Sequence, residues 1–121
     1  MDFQQQTIER AERAIRLGAI LPAGLVPMAE RSVAAAELAG RSGLQLGYTR
    51  QALSAAAVEA ELMWLFKVGV VRREVDGQGI TDRFRLTPLG AQVLVRLKDT
   101  HSLAPLTLVD AWHNQFTRWL S

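Results

Sequence analysis

The chain has 121 residues, 49% hydrophobic and 21% charged, with fourteen Lys and Arg against twelve Asp and Glu, two histidines and no cysteine. This suits one globular domain with its own core, and the lack of cysteine excludes disulfides and thiolate metal sites. The sequence pI is about 9.7 but the formal net charge is only +2, so any attraction to a polyanion must come from how the charge is distributed.

The first stretch, MDFQQQTIERAERAIR, is charged throughout and lacks the apolar centre of a signal peptide. No apolar run approaches the roughly 18 residues of a membrane span, so the expectation is a cytoplasmic protein with no membrane partner. Residues 4–20 read as a first helix: Ile8, Ala11, Ile15 and Ala19 fall at helical spacing, and Glu9/Arg13 and Glu12/Arg16 are four apart on the exposed side. Pro22 stops it. Pro27 suits a first helical position, where its missing N–H is unneeded, and starts a second helix through about Ala39, with Gly40 as its cap. The run Val33-Ala34-Ala35-Ala36 would let helices approach closely, as a buried connector.

Two registers are open for the next helix. Either one helix spans 46–68, or a shorter one starts at Ser54. In both, Val58, Leu62, Leu65 and Gly69 form the inward stripe, leaving Met63, Trp64 and Lys67 elsewhere on the helix. The longer helix is favoured. It would begin with Gln45, Tyr48, Thr49, Arg50 and Gln51, side chains able to contact phosphates and base edges, whereas the shorter would begin with Ala55, Ala56, Ala57, Glu59 and Ala60, a poor set for reading DNA.

Residues 70–86, VVRREVDGQGITDRFRL, read as a hairpin around Asp76-Gly77-Gln78-Gly79, because glycine tolerates the positive φ of tight turns and Asp favours turn entry. A symmetric register pairs Val75 with Ile80, Arg73 with Asp82, Val71 with Phe84 and Arg72 with Arg83. One face then collects Val71, Val75, Ile80 and Phe84, and the other Arg72, Glu74, Thr81, Arg83 and Arg85. Three arginines offset by Glu74 alone would be better satisfied by an external anion. Thr87 caps and Pro88 begins another helix over 88–98, with Leu89, Val93 and Leu97 inward. A last helix over 106–120 carries Leu106, Val109, Trp112, Phe116 and Trp119 at helical spacing, with Asp110, Asn114 and Arg118 opposite.

Helix, basic hairpin, helix is the layout of a winged helix. The run LFKVGVVRRE, the hairpin and RLTPLGAQVL resemble the C-terminal half of winged helix-turn-helix domains of the MarR and PadR regulator type, including a Leu-Thr-x-x-Gly start to the last helix. Ala39, Gly43 and Leu44 fit the small residue, turn glycine and apolar residue of a helix-turn-helix, with Gly43 supplying the turn's unusual backbone. The resemblance covers roughly residues 32–98. The expected fold is therefore mainly α with a small β-hairpin, a single winged helix-turn-helix domain over 1–121 with extra N- and C-terminal helices: helix-turn-helix at about 28–68, wing at 70–86.

The resemblance implies a DNA-binding transcriptional regulator. Gln45, Tyr48, Thr49, Arg50 and Gln51 would enter the major groove of double-stranded DNA, while Arg72, Arg83 and Arg85 of the wing grip phosphates. It also implies a homodimer through helices outside the motif, for which the last helix, with Leu106, Val109, Trp112, Phe116 and Trp119, together with the first is the candidate interface. The alternative is a winged-helix protein-interaction module that binds no DNA and docks a protein partner through Met63 and Trp64 or the C-terminal helix. No enzyme is expected. Asp110 and His113 could share a helix face but lack a third metal ligand, His101 is isolated, Gly77-Gln78-Gly79 precedes a strand rather than a phosphate-binding helix, and Ser42, Ser54 and Ser102 have no base nearby; no cofactor is called for.

Overall fold

The structure is a computed structural model and describes residues 4–100; the expected helix over 106–120, its five interface residues and both histidines lie outside them. The described residues form a mixed α/β arrangement of six helices and a small three-stranded antiparallel sheet. In order these are α1 (Gln5–Leu17), α2 (Pro22–Leu25) running into a 3-10 turn (Val26–Ala29), β1 (Val33–Ala34), α3 (Ala35–Leu38), α4 (Gly40–Gln45), α5 (Ala55–Lys67), β2 (Val71–Asp76), β3 (Gly79–Leu86) and α6 (Pro88–Thr100). No helix among the described residues is long and apolar enough to cross a membrane.

The apolar stripes meet as their spacing requires. Ile8, Ala11 and Ile15 of α1, Val58, Leu62 and Leu65 of α5, and Leu89, Val93 and Leu97 of α6 are all buried in one core with Phe84 and Val71 of the sheet. Arg96 of α6 donates from Nε to Glu12 of α1 at 3.1 Å and closes the edge of that packing. At the start of α6 the Thr87 hydroxyl donates to the Gly69 and Val70 carbonyls and accepts the Gly90 N–H at 3.0 Å. Gly90 is required there for space, since a Cβ would lie 2.2 Å from the Val70 carbonyl oxygen.

The segment between α1 and α5 departs from expectation in three ways. The second helix over 27–39 is replaced by the 3-10 turn, the strand β1 and the single turn α3, because Val33 and Ala34 pair with Phe84 and Arg83 of β3 and give the sheet its third strand, in the order β1-β3-β2. Gly43 is helical rather than the turn residue. Its role is close approach, because a Cβ would sit 1.9 Å from the Leu38 carbonyl oxygen, and the left-handed position belongs to Gly40 at φ +72°.

Third, the helix over 46–68 does not exist. Helix α4 is closed just past its end by Gly47, whose φ of +76° lets Gly47 N–H bond the Leu44 carbonyl at 3.1 Å and Tyr48 N–H the Gly43 carbonyl at 2.9 Å, the paired closure of a Schellman end. The chain then runs extended beside the end of α1: Leu21 N–H donates to the Tyr48 carbonyl at 2.8 Å, and Arg50 N–H to that of Ala19 at 3.0 Å. Helix α5 starts only after Ser54, whose Oγ accepts the Ala57 N–H at 3.1 Å as a side-chain cap. The shorter register is the observed one.

Candidate interaction surfaces

The residues expected to lead a DNA-reading helix are therefore not on one. Gln45 ends α4, and Gln51 is exposed in the connection. Tyr48 is half-buried against the core, and Thr49 is buried in the bridge to Ile20, its hydroxyl without a partner among the described residues. Arg50 turns back onto α1, where Nε donates to the Gly18 carbonyl and Nη2 to the Arg16 carbonyl, both at 2.8 Å. A guanidinium on the open carbonyls at a helix C-terminus satisfies orphan acceptors and opposes the negative end of the dipole, so Arg50 is a structural cap. The residues that do lead α5 are Ala55, Ala56, Ala57, Glu59 and Ala60, mostly exposed.

The hairpin keeps the expected alternation but not the register. Val75 pairs with Ile80 as expected; Arg73 then pairs with Phe84 rather than Asp82, Arg72 with Arg85 rather than Arg83, and Val71 with Leu86 rather than Phe84. Residues 81–83 bulge against Glu74 alone, and the Thr81 hydroxyl compensates by donating to the Glu74 carbonyl at 2.9 Å and accepting the Arg83 N–H at 3.1 Å. Because the shift is two residues, each side chain stays on its face. Arg73 lies over the Phe84 ring at 5.5 Å, donates to the Thr81 carbonyl at 2.6 Å and reaches Glu59 of α5 at 3.4 Å, which ties the hairpin to the helix.

The remaining hairpin arginines each meet a carboxylate. Glu74 takes Arg85 at 2.6 Å and Arg72 at 3.4 Å. Arg83 bonds the Ser32 hydroxyl and carbonyl at 2.9 and 3.0 Å and pairs with Glu37 at 3.6 Å, a neighbour brought in by β1. Glu37 also accepts the Ala34 N–H at 2.8 Å and pairs with Arg31 at 3.0 Å. The Ala34 hydrogen bond chiefly, with Arg31 and Arg83 behind it, holds the Glu37 carboxyl below the usual carboxylate range despite the opposing effect of partial burial. Arg72 and Arg85 thus share Glu74, and Arg83 shares Glu37 with Arg31, so the positive charge of the arginine face is offset in part by these two carboxylates.

Elsewhere the surface is apolar where solvent would favour polar groups. Val75 and Ile80, directly paired at the hairpin tip, are 68% and 72% exposed, because the tip projects past the core that buries Val71 and Phe84. A groove of about 520 Å³ between α1 and α5 is lined by Arg10, Arg13, Ala14, Leu17, Gly18, Glu61 and Trp64, with Leu17 84% and Trp64 50% exposed. Trp64 lies off the Val58, Leu62 and Leu65 stripe as the sequence implied. Leu17 was missed; its signal is its place at the end of α1, off the stripe of Ile8, Ala11 and Ile15. Among the described residues no three His, Asp or Glu side chains gather as a metal site.

No curated protein and no solved structure matches the chain. A family model described as Npun_F0494-like matches residues 1–118, nearly the whole sequence and all the elements above, and the chain accordingly belongs to the Npun_F0494-like family.

Proposed function

We propose that this protein is a winged-helix module that binds a protein partner rather than reading DNA. The winged-helix reading is supported by the order β1, α3, α4, α5, hairpin and by the strand order β1-β3-β2, in which the hairpin is flanked by a short strand from before the helices. The observation that carries the functional reading is the start of α5. Exposed alanines and Glu59 stand where a DNA-reading helix needs donors for phosphates and base edges. The carboxylates against Arg72, Arg83 and Arg85 point the same way, since they would repel a phosphate backbone and reduce the counterion release that drives such binding.

The ligand chemistry is set by the groove. Leu17 and Trp64 offer apolar surface, Arg10 and Arg13 sit beside them without an ion-pair partner among the described residues, and Glu61 is the sole acid in the lining. An apolar protein segment flanked by carboxylates is the complement of that surface.

The test is a titration of random-sequence duplex DNA with the full chain by fluorescence anisotropy, at low and then physiological salt, beside the Arg72→Ala/Arg83→Ala/Arg85→Ala variant. Binding should be weak and nearly the same in both proteins. Tight, salt-sensitive binding lost in the variant would make DNA the ligand and the hairpin a phosphate clamp, and would overturn this reading.

A further inference from the structure

We infer that the hairpin tip of one copy of this protein docks into the α1/α5 groove of another. The tip is a paired apolar knob, Val75 against Ile80, flanked by Asp76 and Asp82, both exposed and neither in an ion pair among the described residues. The groove presents the opposite character, Leu17 and Trp64 flanked by Arg10 and Arg13, whose positive charge exceeds that of Glu61. One chain therefore carries both halves of a complementary contact.

The two halves cannot meet within a single molecule. The hairpin is bound to α5 through Glu59 and Met63, which Arg73 engages at 3.4 and 3.6 Å, whereas the groove uses Glu61 and Trp64. At 3.6 residues per turn these pairs point roughly 150° apart around the helix. The knob thus faces away from its own groove and is available to a neighbour. A contact between two different surfaces is head-to-tail, so it extends into a chain of copies unless the rotation happens to close a ring. A single hairpin tip buries little area, which sets the contact among weak, concentration-dependent ones. With two aspartates facing two arginines, salt weakens it.

This inference rests on the protein-binding reading and names the partner for that groove. Sedimentation velocity of the full chain, from about 10 µM to about 1 mM at low salt, should show association that grows with concentration and falls in high salt. A tip variant, Val75→Asp/Ile80→Asp, and a groove variant, Arg10→Glu/Trp64→Glu, should each associate at least tenfold more weakly than the wild type; all four positions are exposed, and urea midpoints verify that both variants fold. Mixed in equal amounts, the two should form a one-to-one complex that grows no further, because the tip variant supplies only a groove and the groove variant only a tip. Reversing both sides, Asp76→Arg/Asp82→Arg mixed with Arg10→Glu/Arg13→Glu, should recover association that each variant shows poorly by itself. A wild-type protein that stays monomeric across the range, or single variants that associate like it, would overturn the inference and leave the protein-binding reading standing. Salt-sensitive DNA binding lost in the arginine triple variant would instead remove that reading.

Discussion

The two faces of the hairpin use arginine in different ways. On the inner face Arg73 is 25% exposed, stacked over Phe84, bonded to the Thr81 carbonyl and paired with Glu59, so it fastens the hairpin to α5. On the outer face Arg72, Arg83 and Arg85 are 56%, 44% and 37% exposed, and their partners are the half-buried Glu74, shared by Arg72 and Arg85, and Glu37. Both sets are ion-paired, and pairs this exposed are worth about 0–1 kcal/mol each; what sets Arg73 apart is its bond to the Thr81 carbonyl and its stacking on Phe84 rather than its pair with Glu59, which is 48% exposed. The lesson is that arginines in a hairpin are a count of charges, and the charge offered to a ligand is what remains after the neighbours have taken theirs.

The largest expected effect sharpens this contrast from the inner side. Arg73→Ala should destabilise the fold by about 2 kcal/mol, from the lost bonds to the Thr81 carbonyl and Glu59 and the lost stacking, read as a fall in the urea midpoint at unchanged m-value. Arg50→Ala is expected to cost about 1 kcal/mol in the same assay, because it uncaps the end of α1 while the backbone pairing of 48–50 with 19–21 remains. Replacing Arg72, Arg83 and Arg85 together with alanine should change stability by about 1 kcal/mol or less, despite removing three ion-paired guanidinium groups. A loss as large as that for Arg73 would break the distinction between the faces.

The smallest effect is in acid. Since the folded-state pKa of Glu37 lies below its ordinary value, its contribution is present above the unfolded value of 4.5 and is lost as pH falls through the lower folded one. Wild type should therefore be more stable than Glu37→Gln at neutral pH, with the difference shrinking only below about pH 4.5. Melting temperatures of the two proteins from pH 7 to pH 3 measure this, and a difference that disappeared already near neutral pH would contradict the role given to Glu37.

The elements easiest to recognise in the sequence were those whose signals are local. The stripes of α1, α5 and α6, the Thr87 cap and the hairpin turn rest on spacing and turn chemistry, and the structure has them, except that Ala19 and Gly69 fall beyond the ends of α1 and α5 at Leu17 and Lys67. Gly69 and Gly47 show where this fails. Both close a helix in the same way, with φ of +86° and +76° and the same two backbone bonds, from Gly69 to Phe66 and Val70 to Leu65 in the one case and from Gly47 to Leu44 and Tyr48 to Gly43 in the other. The end of α5 was readable at about residue 68, beside Gly69, because a β-rich run comes after it. Gly47 was not, because what holds 48–50 extended is pairing with residues 19–21, nearly thirty positions away, which no local pattern reports. With that helix went the expected placement of five of the eight candidate DNA-binding residues at the head of one helix. The bulge at Glu74 and the pairing of Arg83 with Glu37 were hidden for the same reason, since the latter depends on β1 joining the sheet.

Whether carboxylates silence the outer arginines is best decided by the salt dependence of duplex DNA binding, compared between wild type and Glu37→Gln/Glu74→Gln, in which those arginines lose their partners. Each phosphate neutralised contributes about −0.9 to the slope of log K against log salt. Wild type should give a shallow slope; once Arg72, Arg83 and Arg85 are released, the slope should steepen by about 2 to 3, with at least about tenfold tighter binding at low salt. A wild-type slope already that steep, unchanged in the variant, would mean that the arginines were free to grip phosphate all along.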